Sequence, residues 1–205
     1  MSGRLPHHTN APIKFRNINR HVLLTAALIT LSSAVITLFL VGPLAGPAEA
    51  YALKGCKYDA DSISPIEYRF HSVNSAYETA FKNAESAWDS TSSPGHFSED
   101  SVSLDPEIDV YDGVYAGTWW AQTDYSCDSD GTYSGNENTV FFDTGGMGGL
   151  TAYEKKLVAE HELGHTYGLD EAPNNGCRVM RQGSNKFTCG TMPAADDIAG
   201  VNALY

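Results

Sequence analysis

The chain is poor in positive charge: thirteen lysines and arginines stand against twenty-five aspartates and glutamates. So acidic a surface excludes the phosphate backbone of nucleic acids and anionic membranes as natural partners. There is no G-x-S-x-G, which removes the nucleophile elbow of serine hydrolases, and no C-x-x-C, the thiolate spacing of structural zinc sites. Nothing repeats, and no low-complexity linker divides the chain. Beyond Glu171 there is no further glutamate, a shortage that matters below.

What is there begins with a leader. Arg4, Lys14, Arg16 and Arg20 precede a nearly unbroken apolar run from Val22 to Val41, and "GPLAGPAEA" follows with Ala48-Glu49-Ala50 as an A-x-A site. That layout is a secretory signal, residues 1–50, cleaved after Ala50. An apolar run of about twenty residues can also span a bilayer, so a retained, membrane-tethered form is the alternative. Residues 51–205 remain as one domain, long enough to bury its own core. The leader takes four of the basic residues and one acid, leaving nine basic residues against twenty-four acids, a formal charge of −15. Cys56, Cys127, Cys177 and Cys189 all lie in this part. An even count in an exported protein reads as two disulfides with three possible pairings. Cys56–Cys127 with Cys177–Cys189 is preferred, since the second pair closes a short loop.

Ile66 to His71 alternates like a half-buried strand. The next segment puts Ala76, Tyr77, Ala80, Phe81, Ala84 and Trp88 on one helical face. Ser101 to Tyr125 reads as one or two strands, Asn138 to Thr144 as another, and "GGMGG" as a loop with little reason to be rigid. Thr151 and Glu154 form a capping box that starts a helix from Ala152 to Tyr167, ended by Gly168. Ile198, Val201 and Leu204 recur at helical spacing near the C-terminus. Strand, helix, several strands and two further helices make an α+β domain.

The chemistry concentrates in "VAEHELGHTYGLDE", Val158 to Glu171. His161 and His165 lie one helical turn apart on the same face and together can hold one zinc ion. Glu162 stands on the adjoining edge, where it can take a proton from a water that zinc acidifies to a pKa of about 7. Gly168 lets the chain turn with φ > 0, so that Glu171 can swing back. Two histidines and one glutamate are a known catalytic zinc set with a water position left open. Asp170 is the rival ligand one residue earlier.

In these residues the chain resembles the metzincin metalloproteases, whose signature is H-E-x-x-H-x-x-G-x-x-H followed by a methionine turn. His161, Glu162, His165 and Gly168 match, and Glu171 stands where the third histidine belongs. Small bacterial metzincins similar to snapalysin carry Asp at that position. Met180, nine residues after Glu171, is close to the matrixin spacing for the turn; Met192 is read as core filler. "ADDIAGVNALY" is similar to the closing helix of matrixin catalytic domains. That likeness gives Asp196 and Asp197 the task of pinning the methionine turn and the mature N-terminus; otherwise they are helix N-terminal charge.

The resemblance implies a metzincin-like catalytic domain over residues 51–205. Its sheet would be twisted and mostly parallel with an antiparallel edge strand, beside an active-site helix and a C-terminal helix. It further implies a bacterial, secreted, monomeric endopeptidase with one catalytic Zn2+, Glu162 as general base, and protein or peptide substrates. Asn138 to Thr144 would be the edge strand that receives the substrate. The departures are Gln182 where some metzincins have tyrosine, no cysteine switch, no room for a zymogen pro-domain, and none of the histidines of a second, structural zinc.

Zinc-peptidase clans that draw a third ligand from a distant downstream glutamate are excluded, since none follows Glu171. A secreted binding protein that keeps the fold without catalysis is the rival of another class, and the intact Glu162 speaks against it. Asp128, Asp130, Gly131 and Glu137 imitate part of a Ca2+ loop, with Ser126 at its first position, though a solvated turn explains them as well. His71 and His96 are structural or exposed. Cleavage specificity depends on how the loop Arg181 to Thr188 folds.

Overall fold

Strand β2 (Ile66–Phe70) buries Ile66 and Tyr68 by alternation, and helix α1 (Ser75–Asp89) follows, capped by the Asn74 side chain accepting from the Ala76 amide. The computed structural model to which these elements belong describes residues 51–173, 176–190 and 192–205. The basic leader, the apolar run and the cleavage site after Ala50 lie outside the described residues. Helix α1 buries Tyr77, Ala80, Phe81, Ala84 and Trp88. Ala76, expected on that face, is exposed. It lies in the first turn at the margin of the buried face, about 100° around the helix from Tyr77 and about 140° from Phe81.

The main sheet runs β3 (Phe97–Glu99), β2, β4 (Ile108–Gly113), β6 (Tyr133–Asp143), β5 (Ala121–Cys127). The first four strands are parallel and β5 is antiparallel to β6. This is the expected α+β layout, with one correction. Asn138 to Asp143 is the inner half of β6, paired on both sides, and the edge strand is β5. The cause is the hairpin through "DSDGTYSGNE": it folds β5 back along β6, so the later strand fills the gap beside β4 and the earlier one is left outside. Val140 and Phe142, two residues apart and so on one face, are fully buried, while Thr139 and Phe141 on the other face are half-buried.

Thr144 to Gly149 also differs from expectation. Thr144–Met147 forms a short helix, α2, because the Asp143 carboxylate accepts from the Gly146 amide at 2.7 Å and Met147 is wholly buried. A good cap and one buried anchor outweigh the entropy of the glycines.

Helix α3 runs Ala152–Tyr167 with both halves of the Thr151/Glu154 capping box formed, and ends at Gly168 with φ 105°. Strand β7 (Leu169–Asp170) pairs antiparallel with β1 (Ala52–Leu53). A 3₁₀ turn, Gly183–Thr188, and helix α4 (Ala195–Leu204) complete the chain. Helix α4 buries Asp197, Gly200 and Val201, whereas Ile198 and Leu204 are only half-buried. Helices α1 and α3 pack together, with Trp88 Nε1 donating to Glu160 O at 2.9 Å. Phe81, Trp88, Leu163, Tyr167, Ile108 and Phe142 belong to one core. Disulfides Cys56–Cys127 and Cys177–Cys189 are both formed, in the preferred pairing. Among the described residues no helix is long and apolar enough to cross a membrane.

Candidate metal centre

His161 and His165 leave α3 on its buried side, their rings 4.6 Å apart. His161 Nδ1 meets Val179 O at 2.8 Å, and His165 Nδ1 meets Leu169 O at 2.8 Å. A carbonyl can only accept, so each Nδ1 carries the proton and donates it. In the neutral rings both Nε2 atoms therefore keep a free lone pair, the form in which imidazole binds a metal. Burial, aided by the nearby Lys186 ammonium, lowers the pKa of His161 and favours that neutral form.

Gly168 reverses the chain, the β7–β1 pairing fixes the next two residues, and Ala172 N donates to Met180 O at 2.8 Å. Glu171, caught between these anchors, brings Oε1 to 3.3 Å from His161 Nε2 and 3.5 Å from His165 Nε2. The ligand atoms of the three residues lie within 4.8 Å of one another, the one such His/Cys/Asp/Glu group among the described residues. Glu171 Oε2 is buried and finds no hydrogen-bond partner there. Burial alone would raise the Glu171 carboxyl, but its place beside the two imidazoles prevails and holds it well below the usual range. Asp170 points elsewhere: it is exposed, and its carboxylate accepts from the Glu171 amide at 2.8 Å.

Two free imidazole lone pairs and a carboxylate with a buried, unsatisfied oxygen are a donor set that fits Zn2+. Beside them, Glu162 is buried and its Oε2 accepts from Thr123 Oγ1 at 2.7 Å. Thr123 was not singled out by sequence; it is the buried polar residue of an otherwise exposed strand, and only the packing of β5 on α3 reveals it.

Met180 lies under this helix. A Cβ on Gly164 would come within 2.2 Å of Met180 Sδ, so the close approach depends on glycine at that position. Asp197, 1% exposed, accepts from the amides of Val179 at 2.9 Å, Met180 at 3.3 Å and Ala194 at 2.8 Å. Solvated helix charge is therefore the wrong description of Asp197. Asp196 accepts from Arg178 Nε at 2.7 Å. Met192 is buried as well, but the sulfur against Gly164 is that of Met180.

A cleft of about 610 Å³ opens beside the centre, lined among others by Trp119, Trp120, His161, Glu162, Glu171 and Lys186. Lys186 is a second residue that sequence reading missed; burial pushes its amine down to about 8 despite the pull of Glu162, Glu171 and Asp197. Lys54 sits toward the other end of β5 with its Nζ 3.9 Å from the Tyr125 ring centroid.

Other sequence candidates stand apart. Of "DSDGTYSGNE", Asp128 to Thr132 forms the hairpin turn and Tyr133 to Glu137 already belongs to β6; Asp130 accepts from Thr132 and Asp128 from Ser134, so the two carboxylates serve the turn and a Ca2+ loop is not supported. His71 contacts Asp109 and stacks on Tyr111 at 4.3 Å; His96 Nδ1 lies 3.1 Å from Ser64 Oγ.

No protein-family model matches the chain, and no curated protein does. Among solved structures it is similar to high choriolytic enzyme 1, a hatching enzyme zinc-protease from the medaka Oryzias latipes: 13% identity over 78% of this chain and 96% of that one, TM-score 0.46. It is also similar to two structures of myroilysin. One is 17% identical over 59% of this chain and 54% of that one, TM-score 0.41, so the match spans about half of that protein. The other is 17% identical over 65% and 61%, TM-score 0.37.

Proposed function

We propose that the protein is a secreted zinc endopeptidase, matrixin-like among metzincins, that acts as a monomer on protein or peptide substrates. The observation that carries this reading is the convergence of His161 Nε2, His165 Nε2 and the Glu171 carboxylate, with Glu171 Oε2 buried and unsatisfied. The matrixin branch draws support from Asp197, which clamps the amides of Val179 and Met180 beneath the histidine helix. Two disulfides support an oxidising compartment, in keeping with removal of residues 1–50 on export.

His161, His165 and Glu171 would hold the metal. A zinc ion held there would supply an acidified water and a Lewis acid for the carbonyl. Glu162 takes the proton of the attacking water and delivers it to the leaving amine. The Thr123 hydroxyl holds that carboxylate in one orientation. Strand β5, outermost in the sheet, offers its free backbone edge to an extended substrate.

The test is digestion of a mixed peptide library by the purified protein beside Glu162→Ala, with zinc measured in both. Cleavage by the wild type alone, with zinc in both, upholds the reading. Zinc in both and cleavage by neither leaves a binding protein in its place.

A further inference from the structure

Lys186 lines the cleft although the residue is only 3% exposed. Lysine is seldom buried without a partner, because its ammonium loses hydration. Among the described residues no acceptor takes a hydrogen bond from it. Of the carboxylates that pull on it, Glu162 is held by Thr123 and Asp197 by three backbone amides, while Glu171 turns its Oε1 toward the two imidazoles.

The position is also rigid. The turn Gly183–Thr188 lies inside the Cys177–Cys189 disulfide loop. Phe187 stacks on Trp120 with ring centroids 5.0 Å apart, and the Tyr153 hydroxyl donates to Cys189 O and Gly190 O, each at 3.1 Å. The ammonium is thus preorganised against a wall of the cleft.

The sheet says which part of a substrate arrives there. Thr123 bonds Glu162, so β5 is level with the base at that residue. A peptide pairing antiparallel to β5, the stronger mode and the one β6 already uses, runs from Tyr125 toward Ala121. Residues beyond the cleaved bond then lie over Ala121 and Trp120, on the side that Lys186 closes.

We infer that Lys186 selects substrates with an acidic side chain, aspartate or glutamate, at the first position after the cleaved bond. This rests on the protease reading above. A carboxylate entering the cleft gives the ammonium a charge-assisted hydrogen bond, whereas a neutral or basic side chain leaves it unpaired or repels it. Lys54, at the opposite end of β5, already lies over the Tyr125 ring.

The experiment uses peptides that differ only by Asp against Asn, or Glu against Gln, after the cleaved bond. Their kcat/KM values are compared for the zinc-loaded wild type, Lys186→Gln, Lys186→Met and Lys186→Glu, with zinc content and Tm checked on each. The wild type should favour the acids by roughly ten- to hundredfold, the range for a hydrogen bond to a charged group. The neutral variants should lose that preference and keep zinc, and Lys186→Glu should turn it toward lysine or arginine. Removing an unpaired buried charge is not expected to unfold the protein. Cleavage without acid preference, or a preference that survives in both neutral variants, overturns the inference alone. Should no peptide be cut, the protease reading fails, and fluorescence anisotropy of the same intact peptides decides for Lys186. Tighter binding of the acids that Lys186→Gln abolishes supports it, and equal binding overturns it.

Discussion

The helix side of the cleft and the strand side hold their groups in different ways. On α3 the imidazoles are fixed by backbone carbonyls, and the turn below them is clamped by Asp197 and fitted against Gly164. On the other side, β5 is mostly exposed, and the groups that reach the centre from β5 and the turn Gly183–Thr188 are two isolated side chains, Thr123 and Lys186. The first side is built to hold one geometry. The second is built to receive something, and a change there should alter choice before it alters construction.

The largest effect should follow from removing a ligand. Glu171→Ala should empty the protein of zinc and take cleavage to background, while Asp170→Ala keeps both; metal analysis of the two variants separates them. Zinc lost from Asp170→Ala instead would hand the third ligand to that residue. Next, Glu162→Gln should retain zinc yet lower kcat by about 10²–10⁴, the usual share of a general base. A decrease smaller than tenfold would give the proton transfer to another group.

The difference between the two sides also explains what could be read from sequence. Helix α3, its capping box, its stop at Gly168 and the facing of His161 and His165 were all legible, because each depends on residues within a few positions of one another. Glu171 was legible through Gly168 for the same reason; its carboxylate converges with the two imidazoles, while that of Asp170 accepts from a local amide. The edge strand was misassigned because which strand ends outermost depends on a hairpin closing across the sheet. The glycine-rich segment after Asp143 was misread because its order comes from one cap and one buried methionine. Thr123 had no sequence signal, and of Lys186 only its loop, Arg181 to Thr188, was singled out, since what a threonine in a strand or a lysine in a loop faces is set by what packs around it.

Smaller effects belong to the receiving side and to the packing beneath the site. The preference for acidic over amide peptides should fade as pH rises through about 8, where burial sets the Lys186 amine against the pull of Glu162, Glu171 and Asp197. The sign follows from charge: below that pH the ammonium is present, above it the amine is neutral. Taking the ratio of kcat/KM for matched peptides cancels the titrations they share, including that of His161, and a flat ratio from pH 6 to 10 would count against Lys186. Gly164→Ala should cost about 1–3 kcal/mol in denaturant unfolding, because its methyl group collides with Met180 Sδ. An unchanged midpoint would mean that Met180 does not pack there. Thr123→Val should be mildest, lowering kcat roughly tenfold by freeing the Glu162 carboxylate, with zinc content and Tm unaltered.

The central claim is that one zinc ion, held by His161, His165 and Glu171, makes this chain a peptidase. Its most direct test is to strip the purified protein with a chelator and titrate zinc back while following cleavage of a susceptible peptide from the library. The stripped protein should cleave nothing, and cleavage should recover linearly up to one zinc per chain. Cleavage that persists without metal, or zinc that binds and restores nothing, would contradict it.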